Sequence, residues 1–248
     1  MSLSSRHYVG SYGNRGGLPQ GLKALLIANA AVFAVEWAGG RTLDELFSYF
    51  ALVPYAVVHW FFIWQPVTYM FLHGGVWHLL WNMLALWMFG RDLEQAWGTR
   101  RFLRFYFFCG TGAGLCVVAM NYLFGDPAIP TVGSSGAIYG ILLASAVLWP
   151  DRIILFNFLI PLKMKYYAII IGVLAFMGSL NLNSGVSNVA HLSGMAFGYL
   201  FLKMPAVRGF DPLAFGKDRY RAWKLARAKR RFQVYLRKHG SDRGPWVQ

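Results

Sequence analysis

Acidic side chains are scarce in this chain, with ten Asp and Glu against 24 Lys and Arg in 248 residues. No Asp lies inside an apolar run, which excludes an intramembrane aspartyl pair. No His-Glu-x-x-His segment is present to hold a hydrolytic zinc ion. Cysteine is equally sparse. Cys109 and Cys116 stand seven apart in one apolar run, a separation along a helix that a disulfide cannot span, so no disulfide framework is expected. Charged residues of both signs make up only 14% of the chain, whereas 56% is hydrophobic and 17% aromatic. That balance excludes a soluble domain of this size and predicts an all-α polytopic membrane protein. The net charge of +14 does not point to nucleic acid, because the basic residues flank apolar runs and fill the tail without the pattern of a nucleic-acid reader. Membrane lipid is the acidic partner that fits, and nothing in the chain calls for a cofactor or a metal.

Six apolar spans are expected, at about residues 22–38, 76–89, 102–124, 135–149, 166–180 and 189–202. They divide the chain into a polar N-terminal tail (1–20), a six-helix body (21–203) and a basic C-terminal tail (204–248). Ala28-Asn29-Ala30 lies within the first run, which argues against a cleaved leader. Residues 39–72 are rich in aromatics and broken by Pro54 and Pro66, so they read as a first loop lying at the membrane interface. The apolar stretch 153–160 is too short to cross. All Lys and Arg except Arg41 fall on alternate connections, which puts both termini on the cytoplasmic side by the positive-inside rule. The tail from Lys217 to Lys238 interleaves basic with apolar residues and reads either as a helix on anionic lipid or as a solvated charge run.

The chemistry gathers at Gly133-Ser134-Ser135-Gly136-Ala137-Ile138-Tyr139-Gly140, a polar octet that runs straight into the fourth span. A serine in the first turn of a helix sits beside unpaired backbone N–H groups and the positive end of the dipole, which suits a nucleophile whose intermediate is an oxyanion. The fourth span is about 22 Å long against a hydrocarbon core of about 30 Å. Ser135 therefore lies below the outer surface, where polar backbone requires a water-filled pocket.

Few other polar residues share this territory. His78 and Asn82 are four apart on one face of the second span, and His191 opens the sixth. Gly136 and Gly140 on the fourth span, with Ala190, Gly194 and Gly198 on the sixth, repeat at the interval that lets two backbones approach closely. Such packing brings Ser135 and His191 to one level. A neutral imidazole can take the hydroxyl proton as the oxygen attacks a carbonyl. Glu36 is the only acid well inside an apolar run, so a Ser135–His191 dyad is expected rather than a triad. Tyr139, one turn on, is placed to stack on the imidazole. Asn82, His78 and the Ser135 N–H are expected to donate to the oxyanion. Ser134, rotated by about 100° from Ser135, caps the helix or points elsewhere.

With these residues assembled, the chain resembles the rhomboid intramembrane serine proteases. The match comprises Gly133-x-Ser135-Gly136 with Tyr139; His73, His78 and Asn82; Ala190-His191-x-x-Gly194-x-x-x-Gly198; Trp64 in the first loop; and the turn formed by Glu94 and Gly98. Gln65 and Pro66 follow Trp64 where many relatives carry arginine. The resemblance implies a six-transmembrane-helix rhomboid-type bundle that hydrolyses transmembrane protein substrates, with Ser135 as nucleophile, His191 as base, and His78 and Asn82 as oxyanion donors. The compact layout favours a bacterial plasma membrane. The competing class is a non-catalytic rhomboid-like chaperone or a channel that uses His73, His78 and His191 as a proton relay. The segment from Asn181 to Asn188 is expected to cap the pocket, and the fifth span to tilt and admit a substrate helix.

Overall fold

The computed structural model describes residues 17–156, 159–179, 185–204, 223–225 and 227–229, without the side chains of 41–44, 156 and 185–187. The expected N-terminal tail up to residue 16, residues 181–184 of the cap expected over 181–188 and nearly all of the basic tail from 205 lie outside the described residues, whereas 185–188 are helical rather than loop. The chain divides into two compact units, Met1–Pro205 and Ala206–Gln248. In the second unit, residues 223–225 and 227–229 are helical and exposed.

Among the described residues of the first unit, six helices of 14 residues or more overlap the expected apolar runs: α1 (Gln20–Ser48), α4 (Val76–Trp97), α5 (Thr99–Phe124), α6 (Ser135–Leu148), α7 (Met164–Ser179) and α8 (Gly185–Lys203). Between α1 and α4 lie two short helices, α2 (Pro54–His59) and α3 (Gln65–Thr68), and a 3-10 turn, Tyr69–Phe71. Each short helix has a proline in its first turn, where the missing N–H costs nothing. Helix α1 does not stop at Ala38. It kinks at Gly40, whose φ of 51° only glycine adopts readily, and resumes to Ser48. Helix α4 continues about two turns past Phe89 to Trp97.

One segment departs from the all-helical expectation. Residues Ile153–Phe156 (β1) and Ile160–Lys163 (β2) pair as an antiparallel hairpin, with Ile153 opposite Lys163. The reason is local. Ile153, Ile154 and Ile160 are β-branched, and Pro161 would break a helix while fitting an edge strand.

Buried polar groups tie the outer pieces to this frame. The Glu94 carboxylate, 2% exposed in the last turn of α4, accepts hydrogen bonds from the backbone N–H groups of Gly21 (2.8 Å) and Leu22 (2.6 Å) and from the Thr99 hydroxyl (2.6 Å). It thus caps the positive end of α1. Gln65 does similar work in the first loop. Its side-chain N–H donates to the Tyr49 carbonyl, its oxygen accepts from Val53 N–H, and Trp64 Nε1 donates to the same Tyr49 carbonyl. A buried amide here makes the contacts that hold the loop, although arginine is absent.

The core of the bundle is the meeting of α5, α6 and α8. A methyl group at Gly194 would overlap the Gly136 carbonyl, and one at Gly198 would stand 3.0 Å from Gly140 Cα. The α6 and α8 backbones therefore touch directly, as the small-residue spacing requires. On the outside, large apolar side chains stay exposed: Ile27 and Val35 on α1, Trp77 and Leu80 on α4, Leu123 and Phe124 on α5, and Ile169, Val173 and Phe176 on α7. A surface of this kind fits hydrocarbon rather than water. Among the described residues, Gln20–Gly40 and Thr99–Phe124 are long and apolar enough to cross a membrane alone, whereas Ser135–Leu148 and Met164–Ser179 are apolar but shorter.

Candidate active site

Helix α6 starts at Ser135 because the chain turns sharply just before it. Gly133 has φ 118°, and a Cβ there would stand 2.8 Å from the His78 ring, so only glycine lets the backbone pass that imidazole. The Gly133 N–H donates to the Tyr69 carbonyl (2.9 Å), and the Tyr69 hydroxyl donates to the Gly110 carbonyl on α5 (2.8 Å). The approach to Ser135 is thereby braced against α5.

The structure brings the Ser135 hydroxyl to 2.9 Å from His191 Nε2 on α8. The Tyr139 ring lies parallel to the imidazole at 3.9 Å, with an interplanar angle of 2°. Gly136 and Gly194 are in contact beside this pair, and Gly140 with Gly198 one turn further on. Across the space, α4 contributes His78 and Asn82. Asn82 is 7% exposed and its side-chain N–H₂ has no protein partner. His78 Nδ1 faces the Gly74 N–H at 3.4 Å, and a neutral ring that accepts there carries its proton on Nε2. His73, 3% exposed, sits edge-on to His78 at 5.2 Å. It supports that ring rather than facing Ser135. The three histidines do not form one chain of ring contacts, since His191 pairs with Ser135 and Tyr139 instead.

A cavity of about 490 Å³ opens between these helices, lined by His78, Trp81, Asn82, Ala85, Ser135, Ile138, Tyr139 and His191. No Asp or Glu is among them. Trp81, Ala85 and Ile138 were not singled out from the sequence. The signal for the first two was there, because positions 78, 81, 82 and 85 share one helical face. Ser134 is fully buried, and although it precedes the helix its hydroxyl makes no capping hydrogen bond. Among the described residues no cluster of His, Cys, Asp or Glu is arranged to hold a metal.

A neutral imidazole 2.9 Å from a hydroxyl is within reach for proton transfer, and an unpartnered amide donor in the same cavity is available to a developing negative charge. A Rhomboid domain matches residues 61–205, more than half of the chain. The chain is 36% identical over 163 residues to RHOMBOID-like protein 1 of Arabidopsis thaliana, covering 62% of this chain and 39% of that protein. It is 31% identical over 167 residues to Rhomboid protease GluP of Bacillus subtilis (67% and 31%) and 32% identical over 152 residues to Rhomboid protease AarA of Providencia stuartii (55% and 54%). In each case the chain spans less than two thirds of the relative's length. Plants and bacteria both appear among these relatives, so the likeness does not select a bacterial membrane. The helical bundle, its apolar outer surface and the match over residues 61–205 place the chain in the rhomboid family of membrane proteins.

Proposed function

We propose that this protein is a serine endopeptidase that cleaves membrane-protein substrates at or within the bilayer, using Ser135 and His191 as a two-residue catalytic unit. The observation that carries the reading is the 2.9 Å contact between Ser135 Oγ and His191 Nε2 in a cavity that also holds unpaired amide donors. In the first step Oγ attacks the scissile carbonyl carbon while Nε2 takes the hydroxyl proton. The carbonyl oxygen becomes an oxyanion that accepts hydrogen bonds from Asn82, His78 and the Ser135 backbone N–H. Collapse breaks the C–N bond, His191 passes its proton to the departing amine, and an acyl-enzyme remains. Water, deprotonated by His191, then releases the new carboxylate and restores the serine. Tyr139 holds the imidazole plane through stacking, the task a carboxylate performs in a triad.

The six long helices are read as six spans with both termini cytoplasmic, which directs the basic ends of α4 and α6 to the cytoplasmic leaflet. A fluorophosphonate probe tests the catalytic reading. Labelling of the unmodified chain that is absent in Ser135→Ala, with cleavage of a transmembrane substrate lost in parallel, is the expected result. An unmodified chain that takes no label and cuts no substrate overturns the reading in favour of a non-catalytic rhomboid-like binder.

A further inference from the structure

At the opposite end of α6 from Ser135 is a second cavity, of about 360 Å³, between α4, the end of α6, the β1–β2 hairpin and the start of α7. Ser145 lines it ten residues beyond Ser135, about 15 Å along the helix. The two cavities thus lie toward opposite faces of the bundle. The second is lined by Arg91, Asp92 and Gln95 of α4, by Ser145, and by Arg152 before β1, with Trp87 at its apolar side. Arg152 pairs with Asp92 but stays half exposed, leaving further guanidinium N–H donors unused. Arg91 has no ion pair among the described residues. Beside the cavity, Asp151 is bonded to both Lys163 and Lys165, which hold its carboxyl below the usual range. Counting Asp92 and Asp151, the region keeps a surplus of positive charge.

Two guanidinium groups around one space call for an anion with several acceptor oxygens. The surroundings choose among anions. Trp87 is 44% exposed, and Ile160, on the same face of the hairpin as the lining residue Ile154, is 58% exposed. A soluble anion makes no use of these flanking apolar side chains, whereas acyl chains do. We propose that this cavity binds the phosphate headgroup of an anionic phospholipid, with the phosphodiester oxygens accepting from Arg91 and Arg152 and the acyl chains lying along Trp87. A basic pocket between membrane helices is suited to that headgroup chemistry. The hairpin then acts as the inner wall of a lipid site.

Photo-crosslinking on the full chain in nanodiscs tests this. Phosphatidylglycerol carrying a diazirine high on one acyl chain is compared with phosphatidylcholine carrying the same group, and the crosslinked peptides are mapped by mass spectrometry. The expected result is crosslinking to the stretches around Trp87 and residues 152–164, favouring phosphatidylglycerol about fivefold or more, and falling about fivefold in Arg91→Gln, the effect of one basic residue near an anionic surface. Arg152→Gln should lower it by a similar factor. Equal crosslinking by the two lipids, or crosslinks only elsewhere on the bundle, overturns the proposal. Displacement of the probe by excess inorganic phosphate overturns it in favour of a soluble-phosphate site. The lipid comparison is made on the unmodified chain, so it decides the matter even if a variant fails to fold.

Discussion

Helices α7 and α8 are neighbours in sequence and similar in length, yet they are built for different tasks. Helix α8 carries Ala190, Gly194 and Gly198 along one line, and there its backbone meets that of α6. Helix α7 turns Ile169, Val173, Leu174, Phe176 and Met177 outward, each at least half exposed. Its aromatic contact with α4, Tyr167 against Phe89, is a tilted pair at 5.9 Å. Small residues make a rigid seam, because a close-packed backbone contact has almost no adjustable side chain to give way. Large residues facing lipid make a wall that can shift at little cost. The Ser135–His191 pair bridges the rigid seam, and the cavity beside it is lined from α4, α6 and α8, with no residue of α7.

The largest effects should come from the pair itself. Ser135→Ala and His191→Ala should each remove fluorophosphonate labelling and substrate cleavage, whereas Ser134→Ala should keep most of both. Its hydroxyl lies by Tyr106, and Ser134 is not among the residues lining the Ser135 cavity. Labelling that disappears only in Ser134→Ala would shift the register of the site.

The seam is the next target. Gly194→Val should separate α6 from α8 and cost about 1–3 kcal/mol or more through overpacking, seen as a lowered unfolding midpoint together with lost labelling. A Gly194→Val protein with full activity would show that the backbone contact does not set the serine–histidine distance. A milder loss is expected for Asn82→Ala, about 10²-fold in turnover with the midpoint retained; unchanged kinetics on a transmembrane substrate would return Asn82 to a packing role. Tyr139→Phe should stay close to the unmodified rate, since it preserves the stacked ring, while Tyr139→Ala should not. The smallest effect belongs to the soft wall. Val173→Ala on α7 should change stability by about 0.5 kcal/mol or less, as for a surface position away from special features. A large loss of stability there would mean that α7 is held as firmly as α8.

Much of this was legible in the chain because its signals are periodic. Apolar runs of helical length, the four-residue spacing of His78 with Asn82, and the matching small-residue stripes of α6 and α8 depend only on the geometry of a helix, so they located the helices and named the residues that could meet. The scarcity of acids likewise determined that any serine–histidine unit would lack a carboxylate, and the cavity lining contains none. What tertiary structure decided was everything that depends on contacts between residues distant in sequence. The sequence showed Glu94 as part of a turn but not that it caps α1 more than 70 residues earlier, nor that Gln65 fastens the first loop through its amide. The hairpin at 153–163 was hidden because a short apolar run has no period long enough to separate strand from helix. The second cavity was hidden for a related reason: Arg91 and Arg152 come from separate elements, and only the packing of α4 against α6 places two guanidinium groups around one space.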